Sequence, residues 1–522
     1  MSGASLGGLS AGALCGIAAA VAVGVSFALD RIAVPRAPLR RPLCSPLLHV
    51  LAVVFLADLA LAATARPIIS AAAALALVGL AAAVSNAKYE TLREPFVFTD
   101  LSLFSQLFAH PRLYLPFLSV GKVLAIAAGI VVVVAGFLAE PVASPYPASV
   151  ALAVALALFV LACGVASRLS LTLDAAADQR VHGFFATFVA YLLNGLRPAT
   201  VSRFKRAAEQ GPFAKGHAHA GPDVIVIQSE SFFDIRVLSP AIEPGLYSHF
   251  DAARREAVWH GQMTVPAWGA NTMRTEFAVL TGLPSTALGY ARFYPYAFVR
   301  RACASLASWF ARGGYETVAF HPYYADFFGR DRVFPLLGFQ RFHDIEHFAQ
   351  ASRAGPYVSD AAVAEAILAE LARRDATAGG PRFIFAMTME NHGPLHLETV
   401  LSGESSSRHT LGDGAAWRDL TAYLRHIENA DAMIGRLLDH VRSSCRDTIV
   451  CFYGDHVPAL PQVFDRLDVN PERSDYFIWR NFETQNPERL DVHADTLGAL
   501  LLRAAQEGGS RVGESWASEK TT

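Results

Sequence analysis

Charged residues are scarce in this chain: Asp, Glu, Lys and Arg make up 17% of its 522 residues, whereas hydrophobic residues make up 53%. This composition excludes an ordinary soluble globular protein, and part of the chain is expected to lie in lipid. Basic residues are not in excess either, because 44 Lys and Arg stand against 46 Asp and Glu. Nucleic-acid-binding domains normally carry a basic surface, so we expect no nucleic-acid partner.

The six cysteines lack the CxxC spacing that is typical of structural zinc sites and redox pairs. A disulfide scaffold is therefore not expected. The short separation of Cys445 and Cys451 leaves one bridge open, but buried free thiols are the favoured interpretation.

Long apolar runs fill the first third of the chain. A helix needs about 17 to 25 apolar residues to cross a bilayer, and runs of this kind lie at 9–29, 47–65, 67–85, 121–139 and 148–166. The first run follows no charged n-region and precedes no cleavage site, so we expect a retained anchor and not a removed signal peptide. The sequence predicts a membrane domain over 1–170 with about five helices.

Basic residues follow two of these runs: Arg31, Arg36, Arg40 and Arg41 after the first, and Lys88, Arg93, Arg112 and Lys122 after the third. The positive-inside rule places both loops in the cytoplasm, and five crossings would leave the rest of the chain there as well. A sixth crossing by Phe184–Leu196 would reverse this. That stretch is short for a span, and an interfacial helix within an amphipathic linker over 171–220 is favoured.

Beyond about residue 200, short apolar strands alternate with helical stretches. This pattern predicts a globular α/β domain over 221–485. A last helix at about 493–506 and a polar tail are expected in the remaining segment, 486–522.

Polar residues follow four of the predicted strands, in DVIVIQSES (223–231), TVAFHPYY (317–324), FIFAMTMENHGP (383–394) and TIVCFYGDHVP (448–458). Ligands of open α/β sheets bind at the carboxyl ends of strands. The residues at these ends are Glu230, His321, His392, Asp455 and His456. Two carboxylates and three imidazoles at one edge predict a metal site.

The Gly-Asp-His triplet at 454–456 favours shared coordination, because Asp455 and His456 can reach one cation when the chain turns at the glycine. With Glu230 they form an O, O, N set that leaves room for a hydroxyl oxygen. Such a set suits Mn²⁺ or Zn²⁺, with Mg²⁺ or Ca²⁺ less favoured by the imidazole.

The nucleophile should be an alcohol or thiol beside this metal, because coordination lowers the pKa of a hydroxyl. The candidate is Thr272, in WGANTMRTEFAVLTGLP, where Asn271 can cap a helix whose apolar residues recur at helical spacing. The first turn of a helix directs N–H groups at a phosphate. An equal alternative is that Thr272 or Thr275 only assists the cap.

These motifs, in this order, resemble the lipoteichoic acid synthase and phosphoglycerol transferase family, a branch of the alkaline phosphatase and sulfatase superfamily. The likeness covers most of the chain, including the apolar N-terminal part and the segments EPFVFTDLSLF (94–104), QSESFFD, Thr272 with Glu276-Phe277 four residues later, AFHPYYADFFGRD, MENHGP and YGDHVP. It implies an N-terminal α-helical multi-span membrane domain followed by a C-terminal α/β alkaline-phosphatase/sulfatase-like domain.

The resemblance also implies roles for individual residues. One Mn²⁺-like ion, with Zn²⁺ or Mg²⁺ as alternatives, would be held by Glu230, Thr272, Asp455 and His456, and Thr272 would also be the nucleophile. The substrate headgroup would be bound by His321, Arg330, His392 and Phe328. Phe328 stands where Gram-positive members have Trp, and Asn271 stands where a lysine is usual. These departures concern the acceptor and not the metal chemistry.

The activity implied is transfer of phosphoglycerol from phosphatidylglycerol to a glycan or polymer acceptor through a phospho-threonine intermediate. The implied location is the bacterial cytoplasmic (inner) membrane, with the catalytic domain on the periplasmic or extracellular side, in conflict with the basic loops. A phosphoethanolamine transferase, a phosphodiesterase or sulfatase-like hydrolase, and a non-catalytic scaffold are the alternatives. A formylglycine sulfatase is disfavoured because Thr272-Met273-Arg274 does not supply the required C/S-x-P-x-R context.

Overall fold

The computed structural model describes residues 10–103, 110–111, 120–219, 221–377, 379–483 and 486–506. The chain forms two compact units, Met1–Val201 and Ser202–Thr522. Their boundary falls inside the stretch 171–220 for which the sequence predicts a linker. The predicted polar tail beyond 506, Arg112 and the last residue of the 94–104 motif lie outside the described residues.

Helices make up the described part of the first unit: α1 (Ala11–Ile32), α2 (Cys44–Thr64), α3 (Pro67–Leu92), α4 (Val120–Ala139), α5 (Ala148–Ala166), α6 (Ala175–His182), α7 (Phe184–Gly195) and the start of α8 (Pro198–Glu209). Helices α1, α2, α3 and α5 are long and apolar enough to cross a membrane. They coincide with four of the five predicted spans. The fifth, 121–139, falls on α4, whose described apolar part is the shorter Ala127–Ala139.

Helix α7 lies inside the first unit. Phe184, Phe185, Ala190 and Tyr191 are at most 4% exposed, because the helix is apolar around most of its circumference and a helix of this kind is buried. The interfacial helix that the sequence predicts for this stretch stays a prediction, and α7 contributes to the core of the first unit.

Both ends of α7 lie at the same end of the first unit. Asp30, near the end of α1, accepts hydrogen bonds from the Arg41 side chain at 2.6 Å and from the backbone N–H of Phe185 at 2.7 Å. The Asn194 side chain donates to the carbonyl of Ala166, the last residue of α5, at 3.0 Å. Helix α7 therefore does not cross the unit, and the chain leaves the unit at the end where α1 and α5 finish.

The second unit is an α/β domain. Its strands are β1 (Asp223–Ser229), β2 (Trp259–Thr264), β3 (Glu316–Phe320), β4 (Arg341–His343), β5 (Arg353–Ala354), β6 (Tyr357–Val358), β7 (Arg382–Met387), β8 (Thr448–Gly454), β9 (Arg473–Arg480), β10 (Glu488–Arg489) and β11 (Val492–His493). Its further helices are α9 (Ser248–Glu256), α10 (Thr272–Thr281), α11 (Ser285–Leu288), α12 (Leu306–Arg312), α13 (Arg330–Leu337), α14 (Asp360–Ala376), α15 (Arg418–Ser443), α16 (Pro461–Leu467) and α17 (Ala494–Gln506).

The main sheet has the strand order β10-β2-β9-β8-β1-β7-β3-β4, and β11 also pairs with β2. Strands β8, β1, β7, β3 and β4 run parallel, whereas β9 is antiparallel to β8 and β2. Every residue of β1, β7 and β8 is buried, as parallel strands covered on both faces require. The four strands that the sequence predicts are confirmed, and their carboxyl ends meet at one edge of the sheet.

The opposite edge of the sheet is closed by ion pairs. The Asp223 carboxylate accepts the backbone N–H of Arg382 at 2.7 Å and pairs with the side chains of Arg374 and Arg446. Glu370 pairs with Arg382 at 3.0 Å. Burial raises the pKa of Glu370, but hydrogen bonds from Arg373 and Arg341 outweigh it and bring the pKa to about 2. The buried carboxylates named at this edge therefore have guanidinium partners.

All six cysteines are free, with Cys445 exposed and Cys451 buried. The favoured interpretation of free thiols is confirmed, and the bridge between these two residues is absent.

Candidate metal centre and active site

Three buried side chains meet at the carboxyl edge of the sheet. Glu230 follows β1, and Asp455 and His456 follow β8; all three are at most 4% exposed. His456 Nε2 lies 3.3 Å from Asp455 Oδ2 and 3.5 Å from Glu230 Oε1. The strands are direct neighbours, with Ser229 in register with Gly454, so the residues that follow them lie side by side.

The unpaired atoms of this cluster face one another. His456 Nδ1 lies 3.1 Å from the Val457 carbonyl, which can only accept, so Nδ1 carries the proton and Nε2 presents a lone pair. Asp455 Oδ2 and His456 Nε2 have no hydrogen-bond partner among the described residues. Buried acceptors that face one another are unfavourable unless a cation lies between them.

The spacing of these atoms also fits a cation. In a tetrahedral site with bonds of about 2.0–2.1 Å, neighbouring ligand atoms are about 3.3–3.4 Å apart. The cluster of Glu230, Asp455 and His456 is the candidate metal-binding group of the described residues, and its ligand atoms all lie within 4.8 Å of one another. The residues present therefore fit a divalent cation.

Burial, and next the charge of Asp455, raise the pKa of Glu230 to about 8. A carboxyl group with this pKa is mostly protonated at neutral pH when no cation is bound. Glu230 and Glu370 thus differ in pKa by several units, because Glu370 has arginine partners and Glu230 lies beside a second carboxylate.

Ser231 and Gly454 shape the cluster; the turn at Gly454 is the one that the sequence predicts, whereas Ser231 was not identified from the sequence. The backbone N–H of Ser231 donates to Asp455 Oδ1 at 2.8 Å and its hydroxyl donates to Glu230 Oε1 at 3.1 Å. A Cβ at Gly454 would collide with the carbonyl oxygen of Phe232. Only glycine therefore fits at the end of β8, where this strand passes close to the segment that follows β1. The Ser immediately after Glu230 was the available signal.

Thr272 is the first residue of α10 and is partly buried. The backbone N–H of Gly269 donates to the Val457 carbonyl at 3.1 Å, and the Thr275 hydroxyl donates to the Asp455 carbonyl at 2.7 Å. These two bonds lie three residues on either side of Thr272. They hold the start of α10 along segment 455–457, which contains two of the metal-ligand candidates.

The capping alternative receives no support from the side chains involved. Asn271 occupies the N-cap position in a left-handed conformation (φ 64°) and makes no side-chain capping bond. The predicted side-chain cap by Asn271 is therefore wrong. The Thr275 hydroxyl is bonded to Asp455 and not to the helix N-terminus.

Arg330 pairs with Glu276 in the protein interior. Its Nη2 lies 2.8 Å from Glu276 Oε2 and its Nε lies 3.0 Å from Oε1, and both residues are at most 1% exposed. Gln228 and Tyr296 also donate to the same carboxylate. The resemblance implies that Arg330 binds the substrate headgroup; in the structure Glu276 occupies the Nε–Nη2 edge of its guanidinium. From the sequence, Glu276 belongs to the motif that starts at Thr272, and its pairing with Arg330 is not predicted.

Phe328 packs against this arginine. The Arg330 guanidinium carbon lies 5.3 Å from the centroid of the Phe328 ring, which is 4.2 Å from the centroid of Phe327. The side chain is 6% exposed. Phe328 therefore helps to enclose Arg330, whatever it contacts in a substrate complex.

His321 and His392 lie near each other and are both neutral. Burial lowers the pKa of His321 well below its usual value, and the charge of Arg330 lowers it further. Burial also lowers the pKa of His392, whose Nδ1 lies 2.7 Å from the Gly393 carbonyl. His321 Nδ1 has no hydrogen-bond partner among the described residues, so it can bind a ligand hydroxyl.

Asn391, the neighbour of His392, was missed from the sequence. It is 4% exposed, and neither atom of its amide group has a partner within the described ranges. A buried amide without partners is costly unless a ligand or water satisfies it. The available signal was its position in MENHGP, between Glu390 and His392 in the segment that follows β7.

A buried candidate metal-binding cluster at the carboxyl edge of a parallel sheet, beside a threonine at a helix start, is an arrangement typical of α/β metalloenzymes. The family model described as Sulfatase matches residues 222–506. The chain belongs to the sulfatase family. It is an enzyme of that superfamily, whose members are metal-dependent, and a multi-pass membrane protein.

Two relatives come from Rhizobium meliloti (strain 1021). The capsular polysaccharide biosynthesis protein RkpI is 30% identical over 460 residues, which are 83% of this chain and 80% of the relative. A putative cyclic beta-1,2-glucan modification protein is 30% identical over 255 residues, which are 48% of this chain and 38% of that protein.

Two solved structures are similar to this chain. The integral membrane lipooligosaccharide phosphoethanolamine transferase A (EptA) from Neisseria meningitidis covers 88% of each chain with a TM-score of 0.53 at 13% identity. The phosphoglycerol transferase GacH from Streptococcus pyogenes covers 58% of this chain and 80% of its own, with a TM-score of 0.46 at 23% identity. The predicted fold class, a helical membrane part followed by a sulfatase-like domain, is confirmed.

The first prediction concerns the pH dependence of metal affinity. A cation must displace the proton that Glu230 holds below about pH 8, so Mn²⁺ affinity of the metal-free, full-length protein should rise as pH increases from about 6 to about 8, by at most about tenfold per unit, and then level off. Isothermal titration with Mn²⁺ measures this. Glu230→Gln should bind weakly at every pH, while Glu365→Gln, an exposed acid, should match the wild type. A flat affinity across this range would contradict the assignment.

The second prediction concerns the pair of Arg330 and Glu276. Glu276→Gln leaves a buried guanidinium without its carboxylate, which costs about 3–5 kcal/mol of stability. The midpoint of thermal unfolding of the detergent-purified protein should therefore fall by several degrees. Glu365→Gln removes the exposed partner of Arg436 and should change stability by less than about 1 kcal/mol. Equal midpoints for both variants would show that the buried pair is not structural.

Proposed function

We propose that this chain transfers phosphoglycerol from phosphatidylglycerol to a glycan or polymer acceptor, through a phospho-threonine intermediate on Thr272. The observation that supports this most is the position of Thr272, which is held between two hydrogen bonds to the segment that carries Asp455 and His456. A nucleophilic hydroxyl beside a buried cation site is the arrangement that phosphoryl transfer by covalent catalysis requires.

Glu230, Asp455, His456 and the Thr272 hydroxyl would hold the cation, with Mn²⁺ proposed and Zn²⁺ or Mg²⁺ as alternatives. Bound there, the cation would lower the pKa of the hydroxyl and offset negative charge on the phosphate. Thr272 Oγ1 then forms a bond to the lipid phosphorus. The bond from phosphorus to the diacylglycerol oxygen breaks, and diacylglycerol leaves with the proton. Phosphoglycerol remains esterified to Thr272.

The second step regenerates the threonine. An acceptor hydroxyl attacks the same phosphorus, the bond to Thr272 Oγ1 breaks, and the product carries the phosphoglycerol; the proton that the acceptor hydroxyl releases restores the Thr272 hydroxyl. His392 is neutral with its proton on Nδ1, so its Nε2 is available to take the proton of the acceptor hydroxyl. His321 Nδ1 and the Asn391 amide are suited to the glycerol hydroxyls, and Arg330 contributes positive charge to the site.

The nature of the acceptor is supported by the relatives. One is named for capsular polysaccharide biosynthesis and the other for modification of a cyclic glucan, so we propose an envelope glycan as acceptor. A membrane-embedded helical unit suits a lipid donor, because substrate and enzyme share the bilayer and the reacting groups are brought together.

A phosphoethanolamine transferase is the second candidate. The solved structure of EptA has the same arrangement of a helical part and a sulfatase-like part, and both chemistries use the same bond-forming step at phosphorus. The two candidates differ in the lipid headgroup, so the choice of labelled donor separates them.

The third prediction tests the nucleophile. Full-length protein in detergent with Mn²⁺ should release diacylglycerol from labelled phosphatidylglycerol, and Thr272→Ala should reduce release to background because no hydroxyl remains to attack. Thr281→Ala, at the end of the same helix with its hydroxyl bonded to the Phe277 carbonyl, should stay active. Release from phosphatidylethanolamine alone would favour the second candidate, and full activity of Thr272→Ala would refute the mechanism.

We further propose that the second unit lies on the periplasmic or extracellular side of the cytoplasmic (inner) membrane. The basic loops at the end where the chain leaves the first unit argue for the cytoplasm. However, Arg41 pairs with buried Asp30, and Lys88 pairs with Glu94 and Asp100, each at 2.7 Å or less. These pairs make Arg41 and Lys88 part of the folded unit, and the proposal for the outer side rests on the proposed envelope-glycan acceptor.

The fourth prediction uses Cys445, which is exposed in the second unit. A membrane-impermeant maleimide added to intact spheroplasts should label the protein at Cys445, and Cys445→Ser should lose that label. The buried Cys451 serves as an internal control that stays unlabelled until denaturation. Labelling of Cys445 only after permeabilisation would place the unit in the cytoplasm.

A further inference from the structure

One buried histidine contacts both ends of the loop that carries Asn391 and His392. His426, in the middle of α15, is 0% exposed. Its Nδ1 lies 3.0 Å from Glu390 Oε1, and its Nε2 lies 2.9 and 3.0 Å from the two carboxylate oxygens of Glu398. Glu390 precedes Asn391 directly, so the loop between the two glutamates is closed across a single imidazole ring.

Glu390 also fixes the loop to two helices. Its carboxylate accepts the backbone N–H of Asp360, the first residue of α14, at 2.7 Å and the side-chain amide of Asn429 on α15. A fully buried carboxylate is tolerated only when its lone pairs are satisfied. These contacts hold Glu390 in one position. The position of the backbone at His392, two residues later, depends on it.

The charges around His426 explain why both contacts hold. Burial lowers the pKa of His426, but the bonds to Glu390 and Glu398 outweigh this, and the net pKa is about 9. Both ring nitrogens then carry protons at neutral pH and both donate. The other charged groups nearby are Asp360 on α14 and Arg425 on α15, which pairs with Glu398 at 3.1 Å.

Between the two glutamates, the described loop is restrained by the buried Leu395 side chain and by single hydrogen bonds at His392 and Gly393. The backbone N–H of His392 donates to the Met389 carbonyl at 3.1 Å, and the Tyr357 hydroxyl donates to the Gly393 carbonyl at 3.2 Å. Proton transfer tolerates little displacement of the group that accepts the proton. The position of His392 therefore depends on the closure made by His426.

We infer that His426 is a positioning residue, which clamps the loop 390–398 through Glu390 and Glu398 and so holds His392 in place beside the metal ligands. This inference rests on the proposed function for its effect on transfer. The effect of His426 on the loop is expected whether or not the proposed function is correct.

The fifth prediction tests the clamp with His426→Gln in the full-length protein in detergent. Glutamine keeps one donor and one acceptor but removes the charge. We expect kcat for transfer from phosphatidylglycerol to fall about 10- to 100-fold, as for residues that orient a catalytic group, with KM for the lipid within about twofold. Bound Mn²⁺ should stay at the wild-type level, and amide hydrogens in the 388–398 peptide should exchange faster.

Two further variants complete the test. Glu404→Gln takes a carboxylate from Arg425 at 2.6 Å without contacting His426, and it should keep wild-type kcat and exchange. Glu398→Gln weakens one side of the clamp and should reduce kcat by an intermediate factor. This variant replaces His426→Gln in the test if His426→Gln does not fold.

Wild-type kcat and wild-type exchange in His426→Gln would overturn the inference and leave the proposed function standing. Equal losses in Glu404→Gln would also overturn it, because they would show general destabilisation. If the wild-type protein transfers no phosphoglycerol, the proposed function fails instead, and the exchange of the 388–398 peptide still decides whether the clamp exists.

Discussion

The second unit is organised around one buried cluster, in which His456 Nε2 lies 3.3 Å from Asp455 Oδ2 and 3.5 Å from Glu230 Oε1. At the other edge of the same sheet, buried Asp223 and Glu370 have arginine partners. No such side-chain cation is paired with Glu230 or Asp455 within the described residues. A metal ion bound there would supply positive charge to this cluster, and the raised pKa of Glu230 reflects its burial beside Asp455.

The fold produces this arrangement through strand order. Because β1 and β8 are parallel neighbours in matched register, the residues after each strand are brought together without any long-range adjustment. The start of α10 is then fixed to the β8 side by hydrogen bonds from Gly269 and Thr275. The neighbouring strands β7 and β3 bring His392 and His321 to the same edge, so the candidate nucleophile, the candidate metal ligands and the two imidazoles belong to one sheet edge.

The central strands and the polar residues at their ends could be predicted from the sequence, because each of these signals lies within one short segment. Buried parallel strands are continuous apolar runs, and the polar residues that end them are visible in one dimension, as at Glu230 and Asp455. Partners contributed by distant segments are not visible. Arg330 was expected to bind phosphate, but its pairing with Glu276 joins residues 54 positions apart. The clamp between His426 and Glu390 spans 36 positions, and the enclosure of α7 depends on helices far along the chain.

The central claim is that Thr272 becomes covalently phosphorylated with the help of the metal site. The most direct measurement is mass spectrometry of the peptide that contains Thr272, after the full-length protein is mixed with phosphatidylglycerol and Mn²⁺ and quenched without acceptor. The account predicts a phosphoglycerol adduct on Thr272 that disappears when a chelator removes the metal. An adduct on another residue, or diacylglycerol release with unmodified Thr272 throughout, would contradict it.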